Sequence, residues 1–238
     1  MSPAIRGVIE RRILVNYRVD VGTLDAVLPD TFEGREVGES GKGIGSICLM
    51  RVGDARMRFA PEAFGVSVEA ATHRISAVRE KNGGTENCVY VPQRVVSSRL
   101  SASLGEVFLP AELGCGDFRV EERNGVCRIR VDCGDEFAGV EVEEKDGGGI
   151  EEGSVFGSIG SAAGFFCEAG MRYSPSGDRY EGVELCPREW GMEPVEVNGS
   201  RSSFFERLDG AELDSAFRME GIEHEWRPRR PIPSNTTG

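Results

Sequence analysis

The sequence predicts a mainly β (α+β) protein, built from antiparallel strands with two or three short helices. Three observations lead there. Alternation of apolar and polar residues with a period of two recurs along most of the chain. Asn124-Gly125, set between alternating residues in DFRVEERNGVCRIRVDC, is the strongest hairpin signal in the chain. No repeat of fixed period occurs, and 238 residues can bury one substantial core without a linker.

Residues 7 to 19 alternate as a strand. VDVGTLDAVLPD then reads as a short helix, with Asp20 as N-cap and Pro29 beyond its end. GIGSICLMRV, 43 to 52, is expected to be a buried strand, and GDARMRFAPEAFG a loop. Residues 65 to 80 form a long candidate strand, and Asn82-Gly83-Gly84 turns it into ENCVYVPQR. Residues 136 to 145 read as another strand, stopped by Asp146-Gly147-Gly148-Gly149. GSIGSAAGFFCEAG has the composition of a helix capped by Ser158 or Ser161. Strands are expected at 180–185, 188–198 and 213–224. RSSFFE, 201 to 206, reads as a capped helix start. Residues 1–227 are taken as one domain, and 228–238, rich in proline and polar residues, as a disordered tail.

Composition narrows the function classes. A net charge of −12 opposes phosphate contacts, so neither nucleic acid nor an anionic membrane is an expected partner. The seven cysteines are scattered without a Cys-x-x-Cys pair, which fits reduced thiols rather than a disulfide scaffold or zinc ribbon. MSPAIRGVIERR lacks a secretory pattern, so a cytoplasmic location is expected. Of 28 basic residues only Lys42, Lys81 and Lys145 are lysines. GxxxxGK[ST], GxSxG and GxGxxG are all absent, which removes the usual signatures of P-loop, nucleophile-elbow and dinucleotide sites.

Two clusters remain. In SVEAATHRI a strand puts Glu69 and His73 on one face and Arg74 on the other. His224 in GIEHEW is the second of only two histidines. His73, Glu69 and His224 together would meet the minimum for a two-histidine, one-carboxylate metal centre, but the spacing is unspecific and no metal is expected. In YVPQRVVSSRLS, Arg94 and Arg99 could grip a carboxylate, with Tyr90 nearby, or could instead pair with some of the 40 acids.

RRILVNYRVD, SVEAATHRI, VYVPQRVVSSRL, GSVFGS, YEGVEL, RSSFFE and GIEHEW together resemble an uncharacterised family, a domain of unknown function in the acetoacetate decarboxylase-like superfamily. The resemblance spans roughly residues 5–227. It implies a curved antiparallel sheet closed into a cone or barrel around a small-molecule pocket, with a few peripheral helices. By motif position Glu69 resembles the pocket glutamate of the decarboxylase branch and Arg12 its arginine. Ala111 and Glu112 stand where the paired Schiff-base lysines would be expected.

A Schiff base needs an unprotonated amine. Each of the three lysines lies in a surface-like setting, where an ammonium near its reference value of about 10.4 is a poor nucleophile. The sequence therefore predicts a barrel binding a small organic acid or carbonyl compound without Schiff-base decarboxylation. Its ligand residues are Glu69, His73, Arg99, Arg94, Tyr90, Arg12 and His224. No cofactor is expected, and a homo-oligomer is compatible with the sequence. The alternative is a lysine-independent lyase, isomerase or hydrolase using Glu69 and His73 as acid and base.

Overall fold

A computed structural model of the protein describes residues 4–97, 113–145, 148–185 and 191–234. It opens with a long strand β1 (Ile5–Asp20), a one-turn helix α1 (Val21–Asp25) and a two-residue bridge strand β2 (Glu33–Gly34). Strands β3 (Lys42–Met57), β4 (Val66–Lys81) and β5 (Gly84–Val96) follow as a meander, then the bridge strand β6 (Gly114–Cys115). A second meander holds β7 (Asp117–Arg123), β8 (Val126–Cys133) and β9 (Glu136–Glu144). After helix α2 (Ile159–Glu168) come β10 (Met171–Ser176), β11 (Arg179–Leu185), β12 (Glu193–Ser202) and the 22-residue β13 (Glu212–Pro233).

Seven strands form a closed ring in the order β1-β3-β4-β5-β10-β11-β13, because β13 pairs back onto β1. Every ring pairing is antiparallel except β5 with β10. Closure removes the exposed edges that an open sheet of this size would carry. A second sheet, β12-β9-β8-β7, branches from β13 and covers part of the ring from outside. The expected mainly β fold with a curved sheet is the observed one.

The two faces of each ring strand have different fates. Ile13, Val15, Ile47, Leu49 and Ile75 point outward and pack with Ile129 and Val140 of the second sheet. Each such fully buried side chain contributes roughly 1.5–3 kcal/mol. Gly45 belongs to this face: a Cβ there would lie 2.4 Å from the Phe205 ring, so only glycine admits the Phe205–Tyr17 stack at 4.4 Å. The opposite face lines the interior. At one end α2 closes it, with Phe165 and Phe166 packed among Leu14, Ile44, Cys48 and Phe217. Ser158 caps α2, its hydroxyl accepting from the Ser161 amide.

The hairpin signals correspond to real turns. Asn82 and Gly83 have φ of 53° and 78°, and Asn124 and Gly125 have 52° and 78°, the left-handed pair that a two-residue hairpin requires. Several expectations need correction. The loop expected from Gly53 is strand as far as Met57; the β3–β4 register shifts between Val52 and Ala55, with Asp54 at φ 52°. The helix after Asp20 is only five residues, and Asp20 makes no side-chain cap. β10 was not expected, since it is short and contains Pro175. RSSFFE ends β12 and enters a single 3-10 turn, Phe205–Arg207. The tail is not disordered from residue 228: β13 pairs with β11 through Pro233. Among the described residues only β11 flanks that stretch, so prolines without an amide cost little on its free side. Residues 186–190, where the 188–198 strand was expected to begin, lie outside the described residues; the described strand starts at Glu193. Among the described residues no helix is long and apolar enough to cross a membrane.

Candidate functional site

The interior face brings together titratable side chains from six ring strands: Arg12 (β1), Cys48 (β3), Arg74 (β4), Arg94 (β5), Arg172 (β10) and His224 (β13). β1 and β10 stand on opposite sides of the ring, three strands apart through β11 and β13. The Arg12 charge nevertheless acts on Arg172, which sets the two near each other across the interior. Arg12, Arg74, Arg172 and His224 are all buried.

Local backbone features aim these residues. Along β4, Val66, Val68, Ala70 and Thr72 face the cavity described below, and Arg74 continues that row inward. On β5 simple alternation would put Tyr90 and Arg94 on one face. The β4–β5 register instead shifts between His73 and Ile75, which pair with Gln93 and Tyr90. The extra residue falls at Val91-Pro92, where proline has no amide to give the ladder. As a result Tyr90 stays outside and Arg94 turns in.

Arg12 Nε donates to Cys48 Sγ at 3.3 Å, and Arg74 also hydrogen-bonds Cys48. Arg172 donates to the carbonyls of Ala169 and Gly170 at 3.1 and 2.8 Å. Among the described residues no carboxylate pairs with Arg74, Arg94 or Arg172, and the buried Nε of Arg94 has no hydrogen-bond partner. Burial, then repulsion from neighbouring guanidiniums, pushes Arg74 and Arg94 down to about 10 and holds Arg172 well below the ordinary arginine value. Burial, with Arg12 and Arg172 beside it, pushes His224 down to about 3, so its imidazole is neutral; among the described residues neither ring nitrogen has a hydrogen-bond partner. Burial raises the Cys48 thiol, but Arg12 and Arg74 outweigh this and hold it below its ordinary value.

A cavity of about 450 Å³ opens at the end of the ring opposite α2. Its walls include Met50, Val52, Val66, Val68, Val96 and Trp226, with Arg94 and Thr72 among its polar lining. The Trp226 ring lies 5.0 Å from His224. Arg56 also lines it, but is neutralised by Asp54 and by Glu62 at 3.4 Å.

Of the residues singled out from the sequence, Arg12, Arg94 and His224 converge on this interior. Glu69 and His73 lie on the outer face. Arg11 Nη2 donates to Glu69 at 2.5 Å, and Arg11 bridges onward to Glu122 of β7 at 3.1 Å. Burial raises the Glu69 carboxyl, which Arg11 and Arg51 only partly offset. His73 sits between the two sheets, stacked on Phe204 at 5.2 Å. Its Nδ1 donates to Gln93 Oε1 at 2.6 Å, which leaves Nε2 to accept from Ser202 Oγ at 2.8 Å. The crevice beside it is about 10 Å³, room for one water at most. Tyr90 joins an outer aromatic cluster, 5.3 Å from Phe32 and 6.1 Å from Tyr180. The reason is the two-residue period of β4 for Glu69 and His73, and the bulge for Tyr90. Arg99, Ala111 and Glu112 lie outside the described residues. The two histidines are on opposite faces of the sheet, and among the described residues no group of three His, Cys, Asp or Glu could hold a metal. Each lysine is bound to an acid: Lys42 to Asp20 at 2.9 Å, Lys145 to Glu151 at 2.7 Å, and Lys81 to the largely covered Glu86.

Arg74 and Arg172 complete the cage. The sequence signal for Arg74 was its place opposite Glu69 and His73; Arg172 had none, standing alone in a short strand.

No family model matches the chain, and no curated protein matches it in sequence. Solved structures do match. The acetoacetate decarboxylase of Legionella pneumophila superposes with a TM-score of 0.64 at 9% identity, covering 98% of this chain and 89% of that one. An acetoacetate decarboxylase-like enzyme from Sphingomonas wittichii RW1 gives 0.64 at 12%, covering 98% and 95%. The enduracididine biosynthesis enzyme MppR, solved with pyruvate, gives 0.57 at 12%, covering 100% and 92%. The chain has the acetoacetate decarboxylase-like fold.

Proposed function

We propose that the ring interior binds a small organic acid, whose carboxylate is held by Arg94 with Arg74 and Arg172 behind it. The observation that carries this reading is Arg94: it lines the cavity, its Nε is buried without a partner, and the neighbouring guanidiniums are repulsive. A buried cation left uncompensated costs several kcal/mol, and an incoming carboxylate removes that cost through charge-assisted hydrogen bonds. Neutral His224, its ring 5.0 Å from the cavity-lining Trp226, adds a group able to donate or accept one hydrogen bond at the inner end of the cavity.

The reaction class supported is binding, or chemistry without a Schiff base, because all three lysines are engaged by acids and none lines the cavity. An acid–base enzyme using Glu69 and His73 would need both to reach the ligand through the sheet. MppR, a protein of like fold, was solved with pyruvate, which is in keeping with an acid-binding interior.

The test is a thermal-shift and calorimetric panel of carboxylic, keto and hydroxy acids, run beside borohydride reduction and intact-mass analysis. Binding that Arg94→Met abolishes, with no reduced adduct from pyruvate or acetoacetate, is the expected result. A lysine adduct, or acid binding indifferent to Arg94, overturns it.

A further inference from the structure

The cavity's walls say more about the ligand than its cationic floor does. We infer, resting on the acid-binding reading above, that the ligand is an amphipathic monocarboxylic acid: one carboxylate at Arg94 and an apolar chain or ring extending towards Trp226 and Phe64.

Three observations carry this. The cavity, at about 450 Å³, falls within the roughly 300–1,000 Å³ of pockets that enclose drug-sized organic molecules, and a two- to four-carbon acid would leave most of it empty. Apart from Thr72, Arg56 and Arg94, the side chains that line it are hydrophobic. Arg56 already has Asp54 and Glu62, so Arg94 is the one cation lining the cavity that lacks an acid among the described residues. A second carboxylate on the ligand would therefore face Val, Met and Trp side chains and lose its water without a partner. The apolar lining continues outward to Phe64, which is 70% exposed.

Calorimetric titration with butyrate, octanoate, octanedioate and 1-octanol tests the inference on the wild-type protein. Burying each added methylene raises affinity about fourfold at most, so octanoate is expected to bind at least tenfold tighter than butyrate. Octanedioate and 1-octanol are each expected to bind at least tenfold more weakly than octanoate. Arg94→Met should reduce octanoate to the level of octanol and leave octanol unchanged. Butyrate binding as tightly as octanoate overturns the amphipathic ligand while leaving the acid-binding reading standing. Octanol matching octanoate overturns the carboxylate anchor, and with it both readings. A wild-type protein that binds none of the four also overturns both.

Discussion

Replacing Arg94 with methionine should stabilise the empty protein. The side chain keeps its length and loses its charge. Holding the guanidinium at about 10 instead of 12.5 corresponds to roughly 3 kcal/mol against its charged form. Because Arg94 faces the cavity, water solvates part of that charge, and the stability recovered is about 1–2 kcal/mol. For a chain of this size that raises Tm by about 4 °C. The sign with pH follows from the lowered value. The cost of the cation is fully present below the folded-state value near 10 and fades as pH rises from there towards 12.5. Thermal and urea unfolding of both proteins between pH 7 and 10.5 measure the difference. It should be constant to about pH 9 and narrow above it, and a given concentration of acid should stabilise the wild type more than the variant. A variant that melts several degrees below wild type would mean that Arg94 is already paired in the ligand-free protein, and the cage argument would fail.

Further outcomes follow from the same contacts. His224 is held neutral, its folded value far below the ordinary 6.5, so stability should fall by about 1.4 kcal/mol per pH unit as pH drops below 6.5. Tm against pH should lose much of this slope in His224→Gln; an unchanged slope would assign it elsewhere. Glu69→Gln leaves buried Arg11 with only Glu122, and should cost about 2–4 kcal/mol in urea unfolding while acid binding stays within twofold. Loss of binding with normal stability would return Glu69 to the pocket. His73→Ala breaks the link to Gln93 and Ser202 and should cost about 2–3 kcal/mol by the same measurement, again with binding intact. Thiolate absorbance at 240 nm should appear below the ordinary cysteine range in wild type and vanish from the low-pH part of the curve in Cys48→Ser. A curve unchanged by the substitution contradicts the Arg12 and Arg74 contacts.

The parts of the fold written in local chemistry were readable from the sequence. Asn82-Gly83 and Asn124-Gly125 dictate their turns, Ser158 its helix start, and the period of β4 correctly separates Glu69 and His73 from Arg74. What failed depends on closure. Asn16, Ser46, Arg74, Ser76, Arg172 and Ser174 are polar residues at alternate positions, a pattern that on an open sheet marks the solvent side. Once the ring closes, that side becomes the lumen, so residues that look solvated in sequence become the buried cage. The bulge at Val91-Pro92 hid the inward turn of Arg94 and the outward turn of Tyr90, because no sequence rule fixes where a bulge falls. The β11 partner that orders residues 228–233 was likewise invisible, since pairing at that distance leaves no local mark.

The pairing of β1 with β13 sets the timing of folding. Ile5 lies opposite Trp226, so the first strand waits for nearly the whole chain before the ring can close. At roughly 5–20 residues per second of synthesis, β1 spends ten seconds or more with one ladder edge unfilled. Contacts of such separation fold slowly, and the interval exposes the strand to pairing with other chains. The cationic lumen does not exist until that last strand arrives, so acid binding reports completion of the barrel itself.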